Sequence, residues 1–144
     1  MLRIFKKATP DALNSLREEM NVVFCVVADP ASVRAIDVEK AAPSGIILSG
    51  GPAFVDRDPP PFDRKIFDLG IPTLGVCLGF QMWAYHIGAK VVGSEKREFG
   101  VHRFDIKKAD VLFAGVPKNS LVLQSHGDAI QPLKKMTILG TTEN

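Results

Sequence analysis

Residues 66–81 read IFDLGIPTLGVCLGFQ, and this stretch decides the fold. Its centre, Ile71 to Val76, is a near-continuous apolar run of the kind found in strands buried on both faces. On the upstream side Phe62, Ile66 and Leu69 fall at i, i+4 and i+7 with Gly70 as a stop, which predicts a helix. Downstream, Phe80, Trp83, Ala84 and Ile87 repeat helical spacing and Gly88 ends it. The unit is helix, strand, sharp turn, helix. Working outward, Gly45 to Leu48 (GIIL) and Asn21 to Val27 (NVVFCVV) are further buried-strand runs, and residues 2–6 make a short one. Thr9-Pro10 supplies an N-cap and a first-turn proline for a helix through about Met20. Residues 101–106 (VHRFDI) and 121–124 (LVLQ) complete the strands. Such alternation predicts an α/β fold, an open and mostly parallel sheet flanked by helices, with its ligand site at the carboxyl ends of the strands.

Three segments at those ends carry chemistry. Gly75-Val76-Cys77-Leu78-Gly79 is a G-x-C-x-G between a strand and a helix, the arrangement of a nucleophile elbow with cysteine as the nucleophile. The turn is tight enough that side chains at 75 and 79 would collide, and glycine removes them. The helix N-terminus beneath Cys77 offers partial positive charge, and the Leu78 N–H points to where an oxyanion would form. The same five residues also fit a buried cysteine in a glycine-rich turn. Ser49-Gly50-Gly51-Pro52 follows a parallel strand to the same edge, where Gly51 could offer a second N–H or simply make a loop. Gln81 lies one helical turn after Cys77. Ser125-His126-Gly127-Asp128 follows LVLQ, and His126 reads either as a base or as a surface residue of a capped turn. His86 and His102 carry no partner pattern and read as structural or solvent-exposed.

Composition narrows the class. The 144 residues are 46% apolar, 24% charged and 8% aromatic, the balance of one ordinary globular domain over 1–144, able to bury roughly two-thirds of its unfolded surface. Eighteen Lys and Arg against sixteen Asp and Glu leave +2, which asks for neither nucleic acid nor an anionic membrane surface. No apolar run approaches the roughly 20 residues of a membrane span, and the chain reads as cytoplasmic. The two cysteines, Cys25 and Cys77, read as unrelated reduced thiols. Neither has a second ligand at zinc spacing, so no metal is expected.

Taken together, GIILSGGP at 45–52, IFDLGIPTLGVCLGFQ at 66–81, KREFG at 96–100, SHGD at 125–128 and TTEN at 141–144 resemble the class I (triad-type) glutamine amidotransferases, with their flavodoxin-like fold. The branch most similar is the one found in GMP synthetase. The resemblance implies that Cys77 attacks the side-chain amide of glutamine and that the N–H groups of Gly51 and Leu78 hold the oxyanion. It also implies that Gln81, Ser125, His126, Gly127 and Asp128 hold the α-amino and carboxylate ends of the substrate. Ammonia would pass to an ATP-pyrophosphatase synthetase domain or subunit that converts XMP to GMP, with ATP and Mg confined to that partner and no cofactor in this domain.

The chain also departs from the family pattern. Phe99 stands where Tyr is usual, Phe54 where a small polar residue is usual, and Ala89 where Gly is common. The family's general base and its orienting carboxylate come from a later His-Pro-Glu segment. None of His86, His102 or His126 has that context. The sequence therefore carries a second reading, an inactive amidotransferase-like binding or regulatory subunit. It also predicts a C-terminally incomplete sheet whose open edge a second copy would cover as a homodimer.

Overall fold

The computed structural model describes residues 2–4 and 26–143, grouped in two compact units, Met1–Gly88 and Ala89–Asn144. The predicted helix from Thr9 to Met20, and the NVVFC part of the run that follows it, lie outside the described residues.

In the first unit β1 (Leu2–Ile4), β2 (Val26–Ala28), β3 (Ile46–Leu48) and β4 (Thr73–Gly75) form one sheet in the order β2-β1-β3-β4. Strands β3 and β4 run parallel, pairing Ile46 with Thr73 and Leu48 with Gly75, so both strands leave the sheet at one edge. β1 is antiparallel to both of its neighbours. The α/β class stands, but the described pairings make a mixed sheet rather than a mostly parallel one. A three-residue strand can hydrogen-bond in either sense at little difference in energy, so its sequence does not fix its direction.

Helix α1 (Ala35–Ala41) precedes β3, and a 3₁₀ helix, Arg64–Asp68, precedes β4. The predicted helix around Phe62 to Leu69 is thus a tighter and shorter turn. The prolines at 59–61 lie just before it and Gly70, at φ +68°, just after it, so the helical turn is bounded at both ends. Its apolar residues still do what the spacing predicts. Val38 of α1, Ile46 of β3 and Ile66 are essentially fully buried, with Ala35 and Leu48 beside them. Asp63 ties the two helical elements together, because its carboxylate accepts the Ala35 N–H at 2.9 Å and the Lys65 N–H at 3.2 Å. Those bonds, led by the one from Ala35, hold its pKa below the ordinary 3.8.

The second unit is a three-stranded antiparallel sheet, β6-β5-β7, built from β5 (Lys90–Ile106), β6 (Asn119–Gln131) and β7 (Gly140–Thr141). Both long strands extend well beyond the predicted 101–106 and 121–124. They do so across an irregularity: the ladder pairs Gly93 with Asp128, then Glu98 with His126, so that five steps along β5 match two along β6. The extra residues bulge out of β5 and let pairing resume beyond it. Ser125 to Asp128 is consequently part of a strand and not the turn after one.

Period-two alternation sorts the side chains of the ribbon. Glu98, His102, Phe104, Val122, Gln124 and His126 lie on the covered face, while Phe99, Val101, Leu121 and Leu123 are exposed on the other. The Phe104 ring, 5.4 Å from that of Phe113, lies against β7, where a Cβ at Gly140 would meet it. Among the described residues no helix is long and apolar enough to cross a membrane.

Candidate functional site

The first unit builds the elbow. After Gly75 the Val76 N–H donates to the Leu48 carbonyl at 2.8 Å, which carries the β3–β4 pairing one step past the strand. The chain then reverses at Cys77, whose φ of +51° and ψ of −115° place a non-glycine residue in a region L side chains rarely adopt. Helix α2 (Leu78–His86) begins at once, with Gly79 N–H donating to the Val76 carbonyl and Gln81 N–H to the Cys77 carbonyl, both at 3.0 Å. The result is an exposed, free thiol at the N-cap of a nine-residue helix.

The glycines on either side have identifiable reasons. A Cβ on Gly75 would sit 2.7 Å from the backbone N and Cα of Phe80, inside the first turn of α2. One on Gly79 would sit 2.6 Å from Leu48 Cβ and run into the Leu48 carbonyl as well. The crowding at 75 is against the helix and at 79 against β3, rather than between side chains at 75 and 79. The sheet, the elbow and the helix therefore approach closely enough that only hydrogen fits.

The loop after β3 closes on the same point. A Cβ built on Gly50 would lie 3.3 Å from Cys77 Cβ, and one on Gly51 would lie 3.0 Å from Leu78 Cδ2. Backbone from residues 50 and 51 thus flanks the thiol and the first helical residue, where the parallel strand pair was expected to bring it. Gln81, one turn into α2, is only 7% exposed. At the far end of α2 His86 Nε2 stands 3.1 Å from Asp68 Oδ1 with its ring 5.1 Å from that of Phe67, an arrangement that fastens the helix end to the 3₁₀ turn.

The second unit gathers the other candidates. His126 Nε2 lies 3.1 Å from Glu98 Oε2, and Thr142 Oγ1 donates to Glu98 Oε1 at 2.5 Å. Glu98 is a carboxylate only 8% exposed. Ser125 is exposed on the opposite face of β6, so neighbouring members of the SHGD segment point to different sides. Arg97, within the bulge, crosses Gly127: a Cβ there would stand 3.7 Å from the arginine Cδ and Nε. Asp128 is paired in register with Gly93.

The sequence motifs contain Glu98 and Thr142 but mark a role for neither. The signal they do carry is that KREFG, SHGD and TTEN recur in one chain. That one carboxylate joins all three depends on strand register across a bulge, which local sequence does not display. Among the described residues no three His, Cys, Asp or Glu side chains gather as a metal site would require.

Known proteins share this architecture. The family model described as glutamine amidotransferase class-I matches residues 4–144. The glutamine-hydrolysing GMP synthase of Aquifex aeolicus is 44% identical over 110 residues, covering 75% of this chain and 22% of its own. That of Natranaerobius thermophilus is 37% identical over 124 residues, covering 85% and 24%. The chain thus spans less than a quarter of the length of these relatives. The crystal structure of a protein described as part of a GMP synthase, from Thermoplasma acidophilum, superposes with a TM-score of 0.70 at 26% identity, over 90% of this chain and 65% of that one. A glutamine amidotransferase from Thermotoga maritima gives 0.62 at 25% identity, over 91% and 60%.

Proposed function

The chain belongs to the class-I glutamine amidotransferase family, and we propose that it is the glutamine-hydrolysing part of a GMP synthase, freeing ammonia through a cysteine thiolate. The observation that carries this reading is the elbow itself. An exposed cysteine is held at positive φ on a helix N-terminus, between two glycines whose replacement the backbone forbids.

The chemistry follows from those groups. Cys77 Sγ forms a bond to the amide carbon of glutamine, and the carbonyl electron pair moves onto oxygen. The N–H groups of Gly51 and Leu78 are the proposed donors to that oxyanion. Its collapse breaks the C–N bond, the nitrogen leaves as ammonia with a transferred proton, and water cleaves the thioester to glutamate and free thiol. Gln81 and residues Ser125 to Asp128 are assigned the α-amino and carboxylate ends of glutamine. In the cytoplasm, ammonia would be consumed by an ATP-pyrophosphatase synthetase, either a fused domain or a separate chain, that converts XMP to GMP. ATP and Mg belong to that partner in this reading, and the glutaminase part needs no metal or organic cofactor.

Glutamine-dependent ammonia release, followed together with labelling by a glutamine-mimicking electrophile, tests the proposal. Cys77→Ala is expected to abolish both, and Cys25→Ala to leave both intact. Equal labelling of the two variants would remove Cys77 from its role. Covalent capture in a single event without continued ammonia release would instead mark a binding protein.

A further inference from the structure

We propose that Glu98 is a positioning residue for glutamine, acting through His126 to fix the SHGD segment; this rests on the amidotransferase reading given above. A carboxylate is rarely buried unless paired, because removal from water costs several kcal/mol per ion. Glu98 is nonetheless 8% exposed, and both of its oxygens have partners. Oε2 faces His126 Nε2 at 3.1 Å, and Oε1 accepts from the Thr142 hydroxyl at 2.5 Å.

The bulge explains how the carboxylate comes to be there. Between Gly93 and Glu98 the ladder slips, and regular pairing restarts at Glu98 opposite His126. Bulges re-aim the side chains that follow them and recur beside functional sites. Here the slip sets the phase of β5, putting Glu98 on the covered face and Phe99 on the exposed one. Without it the ladder from Gly93 would not bring Glu98 opposite the histidine.

The bond to Thr142 adds the third segment. β7 meets β5 at Asp105 and Ile106 through Thr141 and Gly140, and the next residue sends its hydroxyl along β5 to Glu98. One carboxylate therefore links KREFG, SHGD and TTEN and sets the ring orientation of His126. Its neighbour Gly127 lies beside the Arg97 side chain, where a Cβ would stand 3.7 Å from the arginine Cδ and Nε. A binding segment held this way pays its ordering cost before the substrate arrives.

The test is steady-state kinetics of glutamine hydrolysis in the protein at its native length. Glu98→Gln keeps an acceptor for Thr142 but loses the charge facing His126. It is expected to raise the glutamine KM about tenfold while kcat stays within about twofold, the pattern of lost ground-state positioning. His126→Asn should do the same. The double variant should be no worse than the poorer single one, because the two act as a unit. If Glu98→Gln does not fold, Thr142→Val decides, with an expected rise in KM of about two- to threefold at unchanged kcat.

A wild-type KM in the folded Glu98→Gln variant overturns the proposal, as does a fall in kcat with KM unchanged or additivity in the double variant. Wild-type protein that neither binds nor hydrolyses glutamine overturns the amidotransferase reading, and this proposal with it.

Discussion

At position 79 a methyl group has nowhere to go. The atoms it would strike, the Leu48 carbonyl and Cβ, belong to strand β3 and cannot swing aside as a long side chain could. Gly79→Ala is therefore expected to destabilise the protein by about 1–3 kcal/mol, the usual cost of overpacking, and to reduce labelling of Cys77 because α2 must shift to relieve the clash. Thermal melting and electrophile labelling of the same variant check both effects. The G-x-C-x-G spacing makes this position legible without any structure, since the motif specifies where the chain must turn. The identity of the colliding atoms is not legible, because they come from a strand far earlier in the chain. Glu98 and Thr142 illustrate the same limit more severely: neither looks special locally, and only pairing across the bulge joins them.

Among the elements, the junction of α1 with the 3₁₀ turn hangs on one carboxylate. Asp63 accepts backbone N–H bonds from Ala35 and Lys65, and these hold its pKa below 3.8 in the folded chain. A depressed carboxylate pKa means that the stabilisation is complete above the unfolded value and is lost as pH falls through the folded one. Asp63→Asn, which still accepts hydrogen bonds but lacks the charge, should melt below wild type near pH 7, with the gap closing as the wild-type carboxylate is protonated in acid. Melting temperature against pH for the two proteins decides it, and parallel curves would remove Asp63 from this role. Strand β3 is visible in the sequence as an unbroken apolar run and is buried as such, whereas β4, placed by the run Ile71 to Val76, leaves Thr73 and Leu74 exposed rather than buried on both faces. Helix α1 escapes that pattern, since Ala35 and Val38 are its only buried residues among the polar side chains of AIDVEKA. The length of β5 and β6 is hidden because Gly93, Gly100 and the charged run 95–98 resemble loop sequence. The bulge accommodates residues 94–97, while Gly93, Glu98 and Gly100 pair in the ladder opposite Asp128, His126 and Gln124.

Across the whole molecule, apolar side chains divide between two fates. In the first unit Val38, Ile46 and Ile66 are sealed in a small core, whereas in the second Leu121 and Leu123 are 72% and 79% exposed. Loss of hydrocarbon should therefore have unequal consequences at the two kinds of site. Ile66→Ala is expected to cost about 2–5 kcal/mol through transfer and cavity terms. Leu123→Thr should change stability by no more than about 0.5 kcal/mol, since little of that side chain leaves water. Chemical denaturation of both variants makes the comparison, and a costly Leu123→Thr would show that its face is covered in solution. The α/β class is readable at this scale because it depends on the type and order of elements. The pairing direction of β1 is not, because three residues carry too little pattern to specify it.

The backbone at Cys77 has one further consequence, in evolutionary terms. A cysteine held at φ +51°, ψ −115° carries a local strain of about 1–3 kcal/mol, which glycine at the same place would relieve. The fold by itself thus disfavours the side chain that the proposed chemistry requires. A copy of this chain released from the demand for a thiol would gain stability by drifting toward glycine at position 77.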